Sequence, residues 1–244
     1  MNNRFNLNMY DYIEQPEGKL FFNRQMFGHI ASKYDIINRV LSFDRDKTWK
    51  KRLVEDLPEA QAPYCLDIAC GTGDITFRLA AKYPAGRIVG FDLTESMIDL
   101  AKTRGTFANI TFAIGDMCRM SYADDSFDIV TGGYALRNAP NLEQAILEIW
   151  RVMKPGATAA FLDFSKSPNR FLQTAQDFLL RFWGGFWGIL LHRNPQLYTY
   201  IAASLRQFPD SAALKQLIGK LGFINIRSRK HFFGFTETIF FQKP

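Results

Sequence analysis

The residues best suited to binding chemistry lie where a short apolar run meets a helical stretch. Residues 66–74 read LDIACGTGD, with Gly71 and Gly73 on either side of Thr72. Glycine allows a tight turn and a close approach of backbone to ligand, and free N–H groups at a helix start attract negative charge. Such turns also occur without ligands. A dinucleotide fingerprint needs a third glycine, and Thr76 occupies that position.

Two carboxylates follow the next two predicted strands. Asp92 comes 19 residues after Gly73 and ends the second strand. A carboxylate there can accept hydrogen bonds from both hydroxyls of a ribose, although a turn aspartate is the plainer alternative. Asp116 and Met117 follow the third strand and suit the amino group and ring of an adenine. Because open α/β sheets bind ligands at the carboxyl ends of their strands, these residues together predict a nucleoside site.

This set of motifs resembles the cofactor motifs of class I methyltransferases, which use S-adenosylmethionine. The shared features are an acid four residues before Gly-x-Gly, an acid after the second strand and Gly-Asp-Met after the third. The resemblance implies that the glycine turn surrounds the methionine part of the cofactor, while the two later sites hold ribose and adenine. The implied cofactor residues are Asp67, Gly71, Thr72, Gly73, Asp92, Leu93, Asp116, Met117 and Gly133.

Further stretches resemble the ubiquinone/menaquinone biosynthesis C-methyltransferases. They are FGHIASKYDIIN at 27–38, ALRN at 135–138, RVMKPG at 151–156 and YIAASLRQFP at 200–209. The resemblance implies C-methylation of a prenylated quinol, either demethylmenaquinol or a ubiquinol precursor. Asp46, Ala157, Asp163 and the final segment depart from the family pattern and leave the exact acceptor open.

The same resemblance implies three catalytic residues, Arg137, Asn138 and Tyr34. A ring carbon must attack a sulfonium methyl group in line, and it becomes more nucleophilic when the neighbouring phenol loses its proton. The site therefore needs positioning and a cationic or hydrogen-bonding group beside the developing phenolate. Arginine stays protonated, so Arg137 would stabilise an oxyanion or hold a water that takes the proton. Tyr34 would steer the ring or relay a proton.

Each catalytic residue also has a plainer interpretation. Arg137 would form an ion pair with an acid near the fourth strand, Asn138 would cap the following helix, and Tyr34 would be packing. Two other functions also stay open. One is methylation of another hydrophobic acceptor, such as a phospholipid amine or a natural-product ring. The other is a protein that binds the cofactor without methyl transfer.

The elements that must position these residues alternate between strand and helix. Repeated strand–helix units predict an α/β fold with a doubly wound, mostly parallel seven-stranded sheet of the Rossmann-like methyltransferase type. The last strand pair, joined near Gly234, predicts an antiparallel edge strand. The predicted strands are 64–69, 87–91, 110–114, 127–131, 158–164, 223–229 and 235–242, and the predicted helices are 74–83, 95–103, 142–153 and 211–221.

Two segments stand outside this alternation. We expect residues 1–58 to form an N-terminal helical cover and residues 59–244 to form the methyltransferase domain. Within it, residues 165–209 are an aromatic-rich insertion that predicts a helical lid. Its aromatic residues either fill the core of the lid or meet a membrane surface. In the second case Trp183, Phe186 and Trp187 would lie at the water–lipid boundary, with Arg181 and Arg193 toward the headgroups.

The charge is unevenly distributed along the chain. The net charge is +6, whereas residues 166–244 hold eleven basic and three acidic residues, a local excess of +8. Such a region suits nucleic acid, anionic lipid or a phosphate-bearing substrate, or is simply a solvated cationic surface. Nucleic acid is the least expected partner, because no Asn-Pro-Pro-Tyr-like tetrapeptide follows the fourth strand. A hydrophobic small molecule is the expected partner, and a homodimer is left open.

Cysteine and hydropathy patterns limit the class of protein further. Three irregularly spaced cysteines and three scattered histidines predict neither a disulfide framework nor a metal site. The first 18 residues lack the apolar core of a signal peptide, and no run approaches the roughly 20 apolar residues of a membrane span. We therefore expect a cytoplasmic protein, with peripheral contact at the inner face of the membrane left open.

Overall fold

The computed structural model of the chain describes residues 5–167 and 169–244. Its centre is a seven-stranded sheet. The strands are β1 Tyr64–Ile68, β2 Arg87–Asp92, β3 Ile110–Ile114, β4 Phe127–Gly133, β5 Met153–Phe164, β6 Ile224–His231 and β7 Thr236–Gln242. Their order across the sheet is β3-β2-β1-β4-β5-β7-β6.

The predicted fold class is confirmed. Strands β1 to β5 pair in parallel, and the strand order reverses between β1 and β4, which is where open α/β sheets bind ligands. The predicted antiparallel addition is also present, because β7 runs antiparallel to both β5 and β6. Strand β7 inserts between those two, so β6 forms the edge of the sheet.

Nine helices accompany the sheet in the described residues. They are α1 Pro16–Ile30, α2 Tyr34–Leu41, α3 Asp46–Glu55, α4 Asp74–Lys82, α5 Glu95–Arg104, α6 Leu142–Val152, α7 Arg170–His192, α8 Gln196–Gln207 and α9 Ser211–Lys220. Side chains alternate between the two faces of the sheet, as strand geometry requires. Leu66 packs on the side of α6 and α9, whereas its neighbour Cys65 packs on the side of α3 and α4.

A third apolar cluster lies away from the sheet and joins the two segments that the sequence set apart. Phe22 and Met26 of α1 pack with Leu197 and Tyr200 of α8. The Tyr200 hydroxyl donates a 2.7 Å hydrogen bond to Oδ1 of Asn23, across 177 residues of chain. The N-terminal helices and the insertion therefore cover the same end of the sheet. The domain boundary at residue 58 stays a prediction.

Of the helices in residues 5–167 and 169–244, none is both long and apolar enough to cross a bilayer.

Candidate active site

The turn after β1 is held in a conformation that glycine favours. Gly71 and Gly73 adopt φ angles of 54° and 88°, in the left-handed region. A side chain at Gly73 would place its Cβ 2.8 Å from the Phe77 ring, and helix α4 starts at the next residue. The backbone N–H of Gly71 donates a 2.8 Å hydrogen bond to Oδ2 of Asp92. The glycine turn and the end of β2 are thus locked together.

Asp92 is the carboxylate at the centre of this edge. Its Oδ1 accepts a hydrogen bond from the Thr94 N–H at 2.9 Å, and its Oδ2 accepts the one from Gly71. Burial raises the pKa of Asp92, and these backbone hydrogen bonds oppose the rise. A carboxylate oxygen has more than one acceptor direction, so the group can still accept hydrogen bonds from a ligand.

A pocket lies at the carboxyl ends of β1 to β4, against α1 and α2. Six of the predicted cofactor residues line it: Gly71, Asp92, Leu93, Asp116, Met117 and Gly133. The loop of Asp116 is ordered by its own carboxylate, which accepts the Cys118 N–H at 2.9 Å. The pocket is therefore lined by residues from the carboxyl ends of all four strands, β1 to β4.

Asp67, Thr72 and Gly73 are not among the residues that line this pocket. Asp67 lies beneath the turn, where it accepts hydrogen bonds from the hydroxyls of Thr76 at 2.6 Å and Thr131 at 3.0 Å. Burial raises the pKa of Asp67 to about 6. Thr76, where a dinucleotide fingerprint would have glycine, thus anchors the carboxylate below the turn. These positions support the shape of the turn, and direct contact with a cofactor stays a prediction for them.

A chain of polar contacts ties the helical cover to the glycine turn. The Thr72 hydroxyl donates to Asp35 of α2 at 2.6 Å, and Arg104 of α5 contacts both Thr72 and Asp74. On the other side of Asp74, the buried Lys50 of α3 donates at 3.0 Å. Helices α2, α3 and α5 are thereby fixed relative to the start of α4.

A larger, apolar cavity adjoins the pocket. Its volume is about 500 Å³, and it lies between α1, α2, α7, α8 and the turn that connects β6 to β7. Its lining is aromatic and aliphatic, including Phe27, Trp49, Phe164 and Trp183. Ligand cavities of a few hundred cubic ångströms that are mostly apolar, with few polar groups, bind hydrophobic small molecules.

Four residues line both the pocket and the apolar cavity: Phe27, Tyr34, Tyr134 and Asn138. The sequence had predicted Tyr34 and Asn138 for the site but had missed the other two. Tyr134 has a φ of 59°, a strained value for a tyrosine, and its N–H donates a 2.6 Å hydrogen bond to the Leu162 carbonyl. Its only sequence signal was its position directly after the glycine pair that ends β4.

Asn138 presents an unused acceptor at this boundary. Its Nδ2 donates to the Tyr134 carbonyl at 2.7 Å, and its own carbonyl accepts from Asn23 at 2.8 Å. Among the described residues, none donates to its buried Oδ1. The helix-cap interpretation of Asn138 is wrong, because Asn141 caps α6 by accepting the Gln144 N–H. A buried carbonyl oxygen without a donor is costly unless a ligand supplies one.

Arg137 lines the apolar cavity and is only 4% exposed. Its Nε lies 3.4 Å from Oδ1 of Asp163, its Nη1 contacts the Ser204 hydroxyl, and its guanidinium lies 5.3 Å from the Phe164 ring centroid. The predicted ion pair with an acid near the fourth strand is confirmed: Asp163 lies close to the end of β5, which pairs with β4. Burial raises the pKa of Asp163, and the arginine opposes that rise.

Two buried lysines near the site, Lys19 and Lys50, were not predicted from the sequence. Lys19 donates a 3.0 Å hydrogen bond to the Arg137 carbonyl, and burial together with that arginine lowers its pKa to about 8. Lys50 pairs with Asp46 at 3.2 Å and lies 5.8 Å from the Tyr134 ring centroid. Neither lysine belongs to a local motif, and each depends on partners from other elements. Asp46, one of the departures from the family pattern, is one of the two carboxylates that pair with Lys50, and Asp74 is the other.

The Tyr34 hydroxyl stays protonated at neutral pH. Burial raises its pKa above the usual value of 10.0, and the nearby Lys50 and Arg137 only partly oppose this rise. A protonated phenol at the boundary between the two cavities is a hydrogen-bond donor. Tyr34 and the free acceptor of Asn138 are therefore complementary groups at one place.

The chain is similar to known proteins both in sequence and in structure. The model of the ubiE/COQ5 methyltransferase family matches residues 17–242. A demethylmenaquinone methyltransferase of Staphylococcus aureus is 33% identical over 207 residues, which is 84% of this chain and 86% of that protein.

Solved structures share the fold at lower identity. A chain in the complex between the Haloferax volcanii Trm112 methyltransferase activator and a methyltransferase has a TM-score of 0.66 at 16% identity, covering 89% of this chain and 97% of that one. A SAM-dependent methyltransferase of Thermotoga maritima has a TM-score of 0.64 at 17% identity, covering 90% and 99%.

Proposed function

This chain belongs to the ubiE/COQ5 methyltransferase family, and we propose that it methylates a ring carbon of a prenylated quinol, with demethylmenaquinol as the first candidate. It is an S-adenosylmethionine-dependent methyltransferase. The single observation that carries the proposal is the boundary shared by the two cavities. A cofactor at the strand ends and an apolar acceptor in the larger cavity would meet at Phe27, Tyr34, Tyr134 and Asn138.

The residues of the pocket fit the cofactor by their chemistry. Asp92 offers a fixed carboxylate for the ribose hydroxyls, Asp116 accepts from an adenine amino group, and Leu93 and Met117 provide apolar walls for its ring. When bound, S-adenosylmethionine supplies an electrophilic methyl group on a positively charged sulfur. The backbone at Gly71 and Gly133 leaves room for a ligand to approach the sheet closely.

Asn138 and Tyr34 orient the acceptor. The free Oδ1 of Asn138 would accept a hydrogen bond from a quinol hydroxyl, and the protonated Tyr34 would donate one. Together these contacts hold the ring with one carbon facing the pocket, and positioning of this kind accounts for much of the rate enhancement in group transfer.

Arg137 contributes electrostatics at the same end of the cavity. Because its Nε lies 3.4 Å from Oδ1 of Asp163 and its Nη1 donates to the Ser204 hydroxyl, the guanidinium keeps a fixed orientation in the cavity wall. A fixed cationic donor in an apolar cavity stabilises the negative charge that develops on a quinol oxygen. A water beside Arg137 would take the phenolic proton, and attack of the ring carbon on the methyl group would give a ring ketone. Loss of the C–H proton to water and return of a proton to the oxygen would restore the quinol, so that one proton is released to solvent overall.

The cavity itself favours a quinol over a phospholipid amine. Its lining is apolar apart from a few groups near the boundary, and its charged lining residue, Arg137, is already paired with Asp163. A phosphate headgroup would bring a full negative charge into a cavity whose cation is shared with Asp163, whereas a quinol enters uncharged and its isoprenoid tail needs only apolar surface. The name of the Staphylococcus aureus relative points to the same acceptor class.

An acceptor panel with isotope-labelled cofactor tests the proposal. We expect methylation of demethylmenaquinol, weaker methylation of a ubiquinol precursor and none of phosphatidylethanolamine, with S-adenosylhomocysteine formed in equal amounts. Methylation of the phospholipid alone would contradict the acceptor. A protein that binds the cofactor and methylates no member of the panel would contradict the catalytic assignment.

Three further features belong to this proposal. The protein would act in the cytoplasm, at the inner face of the membrane that holds its acceptor, and it would use peripheral contact rather than a span. A homodimer also stays a prediction, which sedimentation or light scattering would test. The location follows from the acceptor, because a prenylated quinol partitions into lipid.

A further inference from the structure

Helix α7 has the reverse of the usual amphipathic arrangement. A helix of a globular protein normally turns its large apolar side chains toward the core. In α7 the buried positions are Gln176, Gly184, Gly185 and Gly188. Leu180, Trp187 and Leu191 are partly buried against the apolar clusters, but many of the large apolar side chains point outward: Phe171 (87% exposed), Phe178 (66%), Phe182 (64%), Phe186 and Ile189.

The glycines explain why α7 keeps this orientation. A Cβ at Gly188 would lie 2.5 Å from the Asn194 carbonyl oxygen, and a Cβ at Gly184 would lie 2.9 Å from that of Tyr198. Backbone contact of this closeness is available only to the glycine face of the helix. Rotation of α7 to bury its phenylalanines would push larger side chains into the backbone of the following segment. The outward apolar face, which we call the α7 ridge (Phe171, Phe178, Phe182, Phe186 and Ile189), is therefore a fixed feature.

The α7 ridge continues into the mouth of the apolar cavity. Phe182 is exposed and also lines that cavity. Beside it, Trp183 stacks on Phe43 at 5.7 Å, and Phe43 lies 5.8 Å from Phe232. Phe233, the neighbour of Phe232, is 97% exposed and also lines the cavity. The entrance and the ridge thus form one continuous apolar surface, larger than the scattered apolar residues that a soluble monomer usually exposes.

Basic residues border this surface. Arg170 and Arg193 lie at the two ends of α7, and the Arg45 guanidinium lies 5.9 Å from the Phe232 ring centroid at the mouth. The acid within α7, Asp177, is already paired with Arg181 and Arg206. The surface therefore offers cations to an anionic partner, in keeping with the +8 excess of residues 166–244.

We propose that the α7 ridge docks on an anionic lipid bilayer, with α7 parallel to the membrane plane and the cavity mouth open to the acyl chains. A helix of this length lies along about 30–35 Å of the surface. An apolar face with flanking cations is the combination that binds membrane interfaces. The inference rests on the proposed function only for the role of the mouth, through which the isoprenoid tail of the acceptor would pass directly from lipid.

Vesicle flotation of the full chain tests the docking surface without any need for catalysis. We compare vesicles of phosphatidylcholine alone with vesicles that also contain phosphatidylglycerol. The test variant, Phe178→Ser/Phe186→Ser, changes two ridge residues outside the cavity. The matched control, Phe107→Ser/Leu147→Ser, changes two exposed apolar residues elsewhere on the surface. We expect binding to anionic vesicles that the ridge variant loses by about tenfold or more and the control keeps.

Two results would overturn the docking proposal. One is absence of flotation of the unaltered chain with anionic vesicles. The other is a dimer, seen by light scattering, that the ridge variant converts to a monomer, because the α7 ridge would then be covered by a second copy.

An activity comparison separates this inference from the proposed function. With a short-tailed quinol in detergent, the ridge variant should match the unaltered chain. With a long-tailed quinol embedded in anionic vesicles, its turnover should fall about tenfold, in line with the loss of binding. Equal activity on embedded quinol would overturn the role of the mouth. Retained flotation without methylation of any quinol would contradict the proposed function and leave the docking surface intact.

Discussion

The cofactor pocket and the apolar cavity hold their functional groups in different ways. In the pocket, a carboxylate such as Asp92 is anchored by backbone N–H groups of the adjacent turns. In the cavity, Arg137 and Asn138 depend on side chains from distant segments, among them Ser204, Asn23 and Lys19. One site is built on strand ends and the other on contacts between helices.

This difference predicts how the two sites respond to change. Substitutions at the strand ends should reduce cofactor affinity with little effect on binding of the acceptor. Substitutions among the helices should reduce turnover or stability and leave cofactor affinity unchanged. The following substitutions test that separation, and the change expected to have the strongest effect comes first.

Asp92→Ala should weaken binding of S-adenosylhomocysteine by about 100-fold to 10,000-fold, since two hydrogen bonds to a charged group contribute about 1.5–3 kcal/mol each. The change also leaves the Gly71 N–H without its acceptor. Titration calorimetry measures the affinity. Asp99→Ala, at an exposed acid on α5, is the control and should bind normally. Near-normal affinity of the Asp92 variant would show that the strand-end carboxylate is not the anchor of the pocket.

Gly188→Ala should lower the free energy of unfolding by about 2–3 kcal/mol, because its Cβ would overlap the backbone at Asn194. Gly185→Ala is the matched control in the same helix. Its Cβ would lie 3.6 Å from Thr199, an ordinary contact, and alanine favours the helix by up to about 1 kcal/mol. Urea denaturation measures both variants. If the two lost equal stability, close packing of α7 on the following segment would not explain its orientation.

Asn138→Ala should lower kcat about tenfold while cofactor affinity changes less than about twofold, since one positioning hydrogen bond in a buried site contributes about 1–1.5 kcal/mol. Asn141→Ala provides the comparison, because it removes the cap of α6 and should cost about 1 kcal/mol of stability without changing kcat. Turnover and calorimetry on both variants separate the two roles. A normal kcat in the Asn138 variant would remove this residue from the catalytic group.

Lys19 should give the cavity side a dependence on alkaline pH. Its pKa is about 8 in the folded protein against 10.5 for an ordinary lysine, so the unfolded chain binds the proton more tightly between these values. The free energy of unfolding should therefore rise as pH increases from 8 to about 9.5, by about 1–2 kcal/mol from this residue. Lys19→Met should abolish that rise, as measured by denaturation at several pH values. An identical pH dependence in both proteins would contradict the assignment.

The strand-end site was largely predictable because its information is local. Strand and helix periodicity located the seven strands and the turn at Gly71, and parallel strands place their carboxyl ends at one edge. Asp92 and Asp116 could therefore be assigned to one pocket from the sequence, whereas Gly133 was implied by the family resemblance. The same logic could not tell that Asp67 points beneath the turn rather than into the pocket, since that depends on the hydroxyls of Thr76 and Thr131.

The cavity depended on information that is not local. Phe27 and Tyr134 share a wall although more than a hundred residues separate them, and no spacing rule relates them. The sequence predicted that Arg137 would form an ion pair but did not identify the acid. The partner is Asp163, because the pairing of β4 with β5 brings these two residues together. Lys19 was missed because an isolated lysine on a helix predicts a solvated surface.

The sheet and the glycine turn followed from the sequence alone, because each depends on periodicity and spacing within a few strand–helix units, and the cofactor class followed from the resemblance to methyltransferase motifs. The groups that meet at the boundary of the two cavities, and the face of α7 that turns outward, depended on tertiary contacts. Helical periodicity defines an apolar face but not its direction, which here was settled by the backbone contacts at Gly184 and Gly188.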